Sequence, residues 1–427
     1  MKRGIRVESK SGVLVQGNWV RPPLGWTSES RHALRPRFRG QFGGKYKTQK
    51  SAGSTVAELD YYQGTAGTYA GFDRFGRIVD QKWKDAAATV IDRYQYGYDC
   101  DSNRLWRENV LTHSSTTNRF DEFYTYDGLN RLVNTDRGTL DDPPSAGILT
   151  KTFRQQWGLD QVGNWPTFKE GTGSAWTLEQ TRTNNTVNEI TGITGGDWIV
   201  PAYDARGNMT SGPKPNSPAS AMTCVYDAWN RMVQAKNSDG SIIATYRYDG
   251  TGRRIRKLVG ADPENPTATY DYYHNPAWQV LETRKNGSAN PYEQFVWSLR
   301  YVHAPVLRWF DPDTAGQNVQ THYYCNDANF NVTALVGTDG AVVERYTYDP
   351  YGKVTFRASD WSERSSSALL ERHPLHRPPP GHRDGALLRR LAVLPSDAGE
   401  VDSMGQGIQF RQPQPVPIRG GFAIGIH

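Results

Sequence analysis

Hydrophobic and polar positions alternate with a period of two along much of this chain. In the stretch 242–248, IIATYRY, the even-numbered positions carry apolar or aromatic residues, whereas the odd-numbered positions include Thr245 and Arg247. A period of two places neighbouring side chains on opposite faces of a β-strand, so this stretch predicts a strand with one buried face. Tyrosines share one face in the same way at 94–98, 124–126 and 346–348. Tyrosine-striped strands are therefore the main predicted element.

Many of these strands end at one recurrent motif: an aromatic residue, Asp, two variable residues, Gly or Asn, and then Arg, Asn or Lys. Full copies are FDRFGR at 72–77, YDGLNR at 126–131, YDARGN at 203–208, YDAWNR at 226–231, YDGTGR at 248–253 and YDPYGK at 348–353. Three variants are LDQVGN at 159–164, NDANFN at 326–331, and YDCDSNR at 98–104, which is interpreted as one residue longer. The Asp is expected to accept hydrogen bonds from backbone N–H groups two or three residues on, and Gly or Asn tolerates a positive φ.

A second kind of turn lies at the other end of each strand pair. Asp-Gly or Asp-x-Gly sequences occur in NSDGS at 237–241, GTDGA at 337–341 and NTDRG at 134–138, and they favour tight hairpins. Stacked hairpins share an apolar face that one hairpin alone cannot bury. The predicted fold class is all-β: repeated β-hairpins wound into an open spiral or partial barrel shell, with irregular termini.

The predicted site residues are the members of the recurrent turns, and their predicted role is structural. They are Phe72, Asp73, Tyr98, Asp99, Tyr126, Asp127, Asp160, Tyr203, Asp204, Tyr226, Asp227, Tyr248, Asp249, Tyr348, Asp349 and Gly352. No catalytic, metal-binding or cofactor-binding residue is predicted, because the chain has no Gly-x-Ser-x-Gly, Walker or His-Glu-x-x-His motif.

Calcium binding is the alternative role for these Asp residues, because DCDSN at 99–103 mimics the start of an EF-hand loop. The sixth and twelfth positions of that loop would be Arg104 and Val110 in place of Gly and Glu, so turn capping is favoured. A metal site at His373, His376 and His382 is disfavoured, because these residues lie in Pro-rich sequence without further ligands.

Charge is unevenly distributed, which changes what the net charge of +6 implies. Residues 1–50 hold twelve Lys or Arg against two Glu, whereas residues 51–351 hold 28 basic against 35 acidic residues. A nucleic-acid-binding protein carries basic surface on its folded body, so no nucleic-acid partner is expected. The three cysteines predict neither a disulfide framework nor a metal site. No transmembrane segment or signal-peptide core is visible.

The recurrent motif resembles the YD repeats of the Rhs (rearrangement hotspot) family. The resemblance covers roughly 60–355, and the passage 322–356, which ends in RYTYDPYGKVTF, is similar to the start of the Rhs-associated core. The resemblance implies a β-hairpin sheet that spirals into a hollow shell, which encloses a C-terminal polypeptide, usually a toxin, or presents an adhesion surface. It also implies self-cleavage beside an Asp-Pro sequence at the end of the core.

The sequence changes character after Tyr351. All 23 tyrosines lie in 46–351, and 364–396 shows neither alternation nor an aromatic residue. An Arg/Pro-rich disordered tail and a disrupted reading frame are the two interpretations. We favour the second, because the expected core sequence with its Asp-Pro cleavage site is missing. The predicted organisation is a basic, poorly structured segment 1–59, a repeat region 60–355 and the altered tail 356–427.

These observations predict a non-enzymatic shell fragment, outside the cell or at its surface, that encloses or presents a C-terminal polypeptide absent from this sequence. A cell-surface carbohydrate-binding module is the alternative, because exposed aromatic residues stack on sugars. A glycosidase with paired carboxylates is the weakest alternative. Seven tryptophans are candidate sugar platforms, although core packing is their commoner role: Trp157, Trp165, Trp176, Trp198, Trp278, Trp297 and Trp309.

Overall fold

The computed structural model describes residues 47–51, 54–61, 71–142, 144–298 and 304–369. These residues form 26 strands and one short 3-10 helix, Pro144–Ala146. The first sheet contains β1 (Lys47–Ser51), β2 (Ser54–Asp60), β3 (Asp80–Lys84), β4 (Val90–Tyr98), β5 (Arg104–Asn109), β6 (Asp121–Tyr126), β7 (Leu132–Leu140), β8 (Ile148–Gly158), β9 (Thr167–Thr172), β10 (Ala175–Asn184) and β11 (Ile190–Thr194).

The second sheet contains β12 (Ala202–Tyr203), β13 (Met209–Lys214), β14 (Ser217–Tyr226), β15 (Met232–Asn237), β16 (Ile242–Tyr248), β17 (Arg254–Val259), β18 (Ala268–His274), β19 (Val280–Lys285), β20 (Glu293–Trp297), β21 (Pro305–Phe310), β22 (Gln320–Asn326), β23 (Val332–Val336), β24 (Val342–Tyr348), β25 (Val354–Arg357) and β26 (Glu363–Arg364). In both sheets, neighbouring strands are consecutive in the chain and pair antiparallel. The order runs linearly from β1 to β11 and from β12 to β26, so both sheets are open. The all-β prediction of repeated hairpins is confirmed, but the turn predicted at 134–138 is wrong, because these residues lie within β7 and pair with β6 and β8.

The register of each hairpin follows from its turn. Across β16 and β17, Tyr246 pairs with Lys257, and the register then shifts so that Tyr248 pairs with Arg254. The same shift occurs where Tyr126 closes the hairpin of β6 and β7. A three-residue loop with one residue at positive φ adds an extra residue to one strand, and this bulge increases the local twist.

The tyrosine faces of the sheets are buried. Tyr96, Tyr246, Tyr270 and Tyr346 are each at most 2% exposed. Burial of one large apolar side chain stabilises a fold by about 1.5–3 kcal/mol. The period of two seen in the sequence therefore marks the side of each strand that leaves water.

Parts of the second sheet pack on the buried face of the first sheet. One apolar cluster joins Val56 and Trp83 of the first sheet to Tyr323 and Val336 of the second. Another joins Tyr96 of β4 to the turn between β22 and β23. The last hairpins of the chain thus cover side chains that the first hairpins leave on their apolar face.

Strands occur on both sides of the range 60–355 that the sequence assigns to the repeats. Strands β1 and β2 lie before it, and β25 ends beyond it, followed by β26. Trp361 and Leu369, within the predicted altered tail, are both buried. The predicted domain boundaries stay predictions, and residues 1–46 and 370–427 lie outside the described residues.

Candidate functional site: the turn ladder

The turn that begins at Asp127 shows the geometry of the recurrent motif. Asp127 Oδ1 accepts hydrogen bonds from the backbone N–H groups of Leu129 and Arg131, both at 2.9 Å. The N–H of Asn130 donates to the carbonyl of Asp127 at 3.0 Å, and Asn130 has a φ of 59°. The carboxylate therefore binds the residues two and four positions on, where the sequence analysis expected two or three.

The same pair of carboxylate contacts occurs in turn after turn. It is present at Asp73, Asp160, Asp204, Asp227, Asp249, Asp327 and Asp349. Three residues after the Asp, the chain takes a positive φ, for example at Gly252 and Gly352. At this position Gly avoids the clash that a Cβ meets at positive φ, and Asn tolerates it.

Two turns of this kind begin with Asn, and the sequence analysis missed them. Asn185 Oδ1 accepts from the N–H of Glu189 at 2.9 Å, and Asn275 Oδ1 accepts from the N–H of Gln279 at 3.0 Å. An Asn side-chain oxygen can replace that of Asp in this role. Asn188, three residues after Asn185, could have identified the first of these turns in the sequence.

The turn at Asp99 has the same length as the others, so its interpretation as one residue longer is wrong. Asn103 N–H donates to Asp99 Oδ1 at 2.7 Å, four residues on. Ser102 takes the positive φ, 72°, that Gly or Asn takes elsewhere. Ser102 at this position hid the correct alignment in the sequence.

The fourth residue after the Asp donates a side-chain hydrogen bond to the Asp carboxylate in several of these turns. Arg131 Nε donates to Asp127 Oδ2 at 2.7 Å, and Asn208 Nδ2 donates to Asp204 Oδ2 at 2.9 Å. Partial burial raises the pKa of Asp127, but the hydrogen bonds from its own turn and from Arg131 outweigh burial and lower that pKa overall. The bond from Asn208 is the largest cause of the lowered pKa of Asp204. These carboxylates are ionised caps of their turns.

This fourth residue also joins its turn to the next one, and an Arg does so through a backbone carbonyl. Arg131 Nη1 donates to the carbonyl of Asp160 at 2.7 Å. Arg77 and Arg231 reach the carbonyls of Asp99 and Asp249 in the same way. We call the resulting series of linked turns, from Asp73 to Asn275, the turn ladder.

An Asn at the fourth position makes a different link. Asn103 Nδ2 donates to the side-chain oxygen of Asn130, at 2.9 Å. Asn164 and Asn208 donate in the same way to Asn188 and Asn230, both at 3.0 Å. In all three cases among the described residues, the acceptor is the positive-φ residue of the following turn.

The tyrosine before the Asp forms a second series of links. Tyr98 Oη donates to the carbonyl of Ile78 at 2.9 Å, and Tyr126 Oη to that of Arg104 at 2.9 Å. Tyr248 and Tyr348 donate to the carbonyls of Met232 and Val332, both at 2.6 Å. Each acceptor lies five residues after the Asp of the preceding turn. Tyrosine therefore supplies both a buried ring and a hydrogen bond to the neighbouring hairpin.

The remaining aromatic residues of the predicted set lie beside the ladder. Phe72 forms an isolated bridge with Ile78. Tyr203 packs against the apolar cluster that contains Met209, and Tyr226 packs against the same cluster. Burial raises the pKa of both hydroxyl groups above the ordinary value. All sixteen predicted residues thus lie at or next to a turn of the same design.

The turn 326–331 is largely shielded from solvent, because it lies on the face of the first sheet. Trp83 Nε1 donates to the carbonyl of Asn326 at 2.9 Å. The N–H of Ala328 donates to Tyr96 Oη at 3.2 Å. Side chains of the first sheet therefore hold this turn through its backbone, and they also bind two of its side chains: Arg107 lies 3.5 Å from Asp327 Oδ2, and Arg104 donates to Asn329 Oδ1 at 2.9 Å.

The turn that begins at Asp349 is also seated on the first sheet. Arg137 donates to the carbonyl of Tyr348. The ring of Tyr351 lies 5.0 Å from that of Trp157 and 4.6 Å from that of Trp165, measured between centroids. Aromatic contacts at such distances add about 0.5–1.5 kcal/mol beyond burial.

Buried charges reinforce this contact between the sheets. Glu122 lies 2.8 Å from Arg107 and 2.6 Å from Arg137, with carboxylate oxygens facing guanidinium nitrogens. Burial opposes ionisation, but the two arginines outweigh it and lower the pKa of Glu122. Burial raises the pKa of Asp92, against the influence of Arg345. This cluster stabilises the docking and shows no arrangement of nucleophile and base.

The candidate metal ligands gain no support from the described structure. Both carboxylate oxygens of Asp99 accept hydrogen bonds from Asn103. In the described part of the chain, no group of three or more His, Cys, Asp or Glu is placed to hold a metal ion. His373, His376 and His382 lie outside that part.

The seven candidate sugar platforms are poorly placed for stacking. Trp157 and Trp165 are buried, and the other five are partly buried. The most exposed tryptophan of the described residues is Trp229, at 73%, which was not among the candidates. Sugar stacking on the seven is therefore not favoured by the geometry.

Comparisons with known proteins give distant matches. No protein-family model matches the chain. It is 27% identical over 173 residues to the tRNA3(Ser)-specific nuclease WapA of Bacillus spizizenii, and 26% identical over 173 residues to the tRNA nuclease WapA of Bacillus subtilis. Each match covers 40% of this chain and 6% of the relative, so the chain spans a small part of their length.

Solved structures share the architecture over a larger part of the chain. The Photorhabdus luminescens Tc holotoxin pore gives a TM-score of 0.51 at 17% identity, over 74% of this chain and 16% of the other. The TcdB2–TccC3 crystal structure gives 0.50 at 16% identity, with the same coverage. No helix among the described residues is long and apolar enough to cross a membrane. The chain thus has the β-hairpin fold found in these Tc toxin structures.

Proposed function

We propose that this chain is a segment of a β-hairpin shell that encloses or presents another polypeptide, outside the cell or at its surface, and that its role is structural. The observation that carries this is the seating of the turns 326–331 and 348–353 on the face of the first sheet. Trp83 and Arg137 bind backbone carbonyls there, and aromatic rings enclose Tyr351. Such a face can hold a segment of polypeptide through its backbone carbonyls and through selected side chains.

The likeness to the Tc toxin structures supports the same role, because they belong to a toxin assembly. Nuclease activity, named for the WapA relatives, is left out because the chain spans 6% of those proteins. The predicted carbohydrate-binding and glycosidase roles have no observation in their favour. A nucleic-acid partner is likewise not proposed.

A fusion experiment tests enclosure. A short, unstructured reporter with one protease site is joined to the C-terminus of the full chain, and the same reporter is joined to the N-terminus of a second sample. If the shell encloses a polypeptide joined to its C-terminus, C-terminal cleavage is at least about tenfold slower than N-terminal cleavage, because cleavage then requires local opening. Equal rates in the folded proteins would contradict enclosure. The variant Trp165→Ala, which loosens the docked turn, should raise the C-terminal rate.

A further inference from the structure

The turn ladder exposes hydrophobic side chains at one fixed position. Among the described residues, six large hydrophobic side chains are more than half exposed. Five of them stand two residues after the Asp or Asn of a ladder turn: Phe75 (63%), Leu129 (67%), Val162 (52%), Val187 (68%) and Trp229 (73%). The sixth is Leu149, at 66%, which lies on β8 outside the turns. Exposed apolar residues scattered singly are ordinary, but a row of them marks an interaction surface.

The links of the ladder place these side chains in one order. Seven consecutive turns, from the one at Asp73 to the one at Asp227, are neighbours along the sheet edges. Hydrogen bonds join the seven turns as two groups, one of five turns and one of two. The two groups of turns meet at Gly207, in the turn at Asp204, and Glu189, in the turn at Asn185. A side chain at Gly207 would have its Cβ 3.5 Å from Glu189 Oε1. The residues at the exposed position, which we call the tip row, run Phe75, Asp101, Leu129, Val162, Val187, Arg206 and Trp229.

The tip row of one copy is complementary to the tip row of a second copy that runs in the opposite direction. Val162 is its centre, and the next residues outward are Leu129 on one side and Val187 on the other. Beyond them stand two exposed residues of opposite charge, Asp101 and Arg206. The two aromatic residues, Phe75 and Trp229, end the row of large or charged side chains, because the next two turns of the ladder carry the small residues Thr251 and Ala277 at this position. Each position therefore has a matching residue at the same distance on the other side of Val162.

We propose that the tip row is the interface through which two copies of this chain form a symmetric dimer, with the two-fold axis at Val162. An isologous contact brings residue i of one copy to residue j of its partner, and j to i. Leu129 then meets Val187, and Asp101 meets Arg206, twice each. A surface of this kind needs no second binding site elsewhere on the molecule.

The size of the contact predicts a weak dimer. Neighbouring turns are two strands apart, about 9.5 Å, so seven turns span about 57 Å. A strip about 10 Å wide gives about 570 Å² per copy, or about 1,100 Å² in total, at the lower end of specific interfaces. We therefore expect association that depends on concentration over about 1–100 μM.

One turn of the same chain shows how a side chain at the tip-row position packs when another part of the protein covers it. Tyr351 stands two residues after Asp349, at the position of the tip row. Its ring is packed against Trp157 and Trp165 of the other sheet. A tip residue of this design therefore serves as a contact between sheets, and the tip row offers five more large hydrophobic side chains that are each more than half exposed.

Sedimentation velocity of the full chain, with charge exchange at the tip row, tests the dimer. The wild type should shift from the 48.0 kDa monomer towards twice that mass as concentration rises. Asp101→Arg or Arg206→Asp alone places like charges together and should weaken the dimer at least about tenfold. The double variant restores opposite charges and should recover most of the association.

Val162→Glu places two carboxylates at the axis and should abolish the dimer, whereas Leu149→Glu, at a residue equally exposed outside the tip row, should leave it intact. Far-UV circular dichroism checks that each variant is folded. A wild type that stays monomeric at 100 μM would overturn the dimer. So would a double charge exchange that is no better than either single one, or a loss of association in Leu149→Glu equal to that in Val162→Glu.

Discussion

Removal of one hydroxyl group tests whether the tyrosine links stabilise the stacked hairpins. In Tyr348→Phe the ring and its packing are kept, and only the 2.6 Å hydrogen bond to the carbonyl of Val332 is lost. Tyr348 is 6% exposed and Val332 is 1% exposed. A buried carbonyl that loses its donor costs about 1–3 kcal/mol, whereas a neutral hydrogen bond nearer the surface contributes about 1 kcal/mol. We therefore expect about 2 kcal/mol for Tyr348→Phe and about 1 kcal/mol for Tyr248→Phe.

The matched control is Tyr273→Phe. Tyr273 is half exposed, and its ring lies under the guanidinium of Arg284, a contact that Phe keeps. Exposed substitutions away from special features usually change stability by less than about 0.5 kcal/mol. Three variants thus remove the same atom from a buried, a partly buried and an exposed ring.

Urea unfolding measures the free energy of unfolding of each variant from its midpoint and slope. Because stacked hairpins can unfold in sections, hydrogen exchange should accompany it and show faster opening of β22 to β24 in Tyr348→Phe. If Tyr348→Phe were as stable as Tyr273→Phe, and its exchange were unchanged, the tyrosine links would contribute nothing. The stability of the stack would then come from apolar burial alone.

Three further predictions concern charge and pH. Asp127→Ala removes the acceptor of two backbone N–H groups and the partner of Arg131, and should cost about 2 kcal/mol in urea unfolding; Asp127→Asn keeps Oδ1 and should cost about half of that. Glu122→Gln removes the carboxylate that the buried Arg107 and Arg137 share, leaving Asp327 as a partner of Arg107, and should cost about 3 kcal/mol by the same measurement. The pKa of Tyr126 is raised to about 12 by burial, so the unfolded chain ionises this group first and stability falls as pH rises from about 10 to 12; Tyr126→Phe should lose about 2 kcal/mol less over that interval.

Each of these has a result that would contradict it. Equal stability of the Ala and Asn variants at residue 127 would show that the cap does not act through Oδ1. A neutral Glu122→Gln would show that the buried arginines are solvated. An alkaline stability profile of Tyr126→Phe that matched the wild type would show that this hydroxyl ionises equally in the folded and unfolded chains.

Local chemistry made much of the fold predictable from the sequence. The period of two in the stretch 242–248 lies in β16, and the Asp motif marks the hairpin turns on one side of both sheets. The Asp–Arg pairs lie four residues apart, so the sequence contains both partners. Fold class and turn positions depend on contacts of this short range.

Contacts between distant parts of the chain were not predictable in this way. Arg137 and Tyr348 are 211 residues apart, and nothing in either local sequence indicates that they meet. The turns at Asn185 and Asn275 were missed for a different reason, because the search required an Asp. The tyrosine links were missed because their acceptors are backbone carbonyls, which every residue has.

The two kinds of link in the turn ladder relate the fourth residue of each turn to the positive-φ residue of the next turn. Within the turn ladder, a turn whose fourth residue is Asn is linked to a following turn that carries Asn at positive φ: Asn130, Asn188 or Asn230. After an Arg, the same place holds Ser102, Gly163, Gly252 or Trp278. Each unit thus specifies part of its successor's sequence. Gene rearrangements that duplicate or excise hairpins will keep these side-chain links only at junctions where the fourth residue of one turn still matches the positive-φ residue of the next.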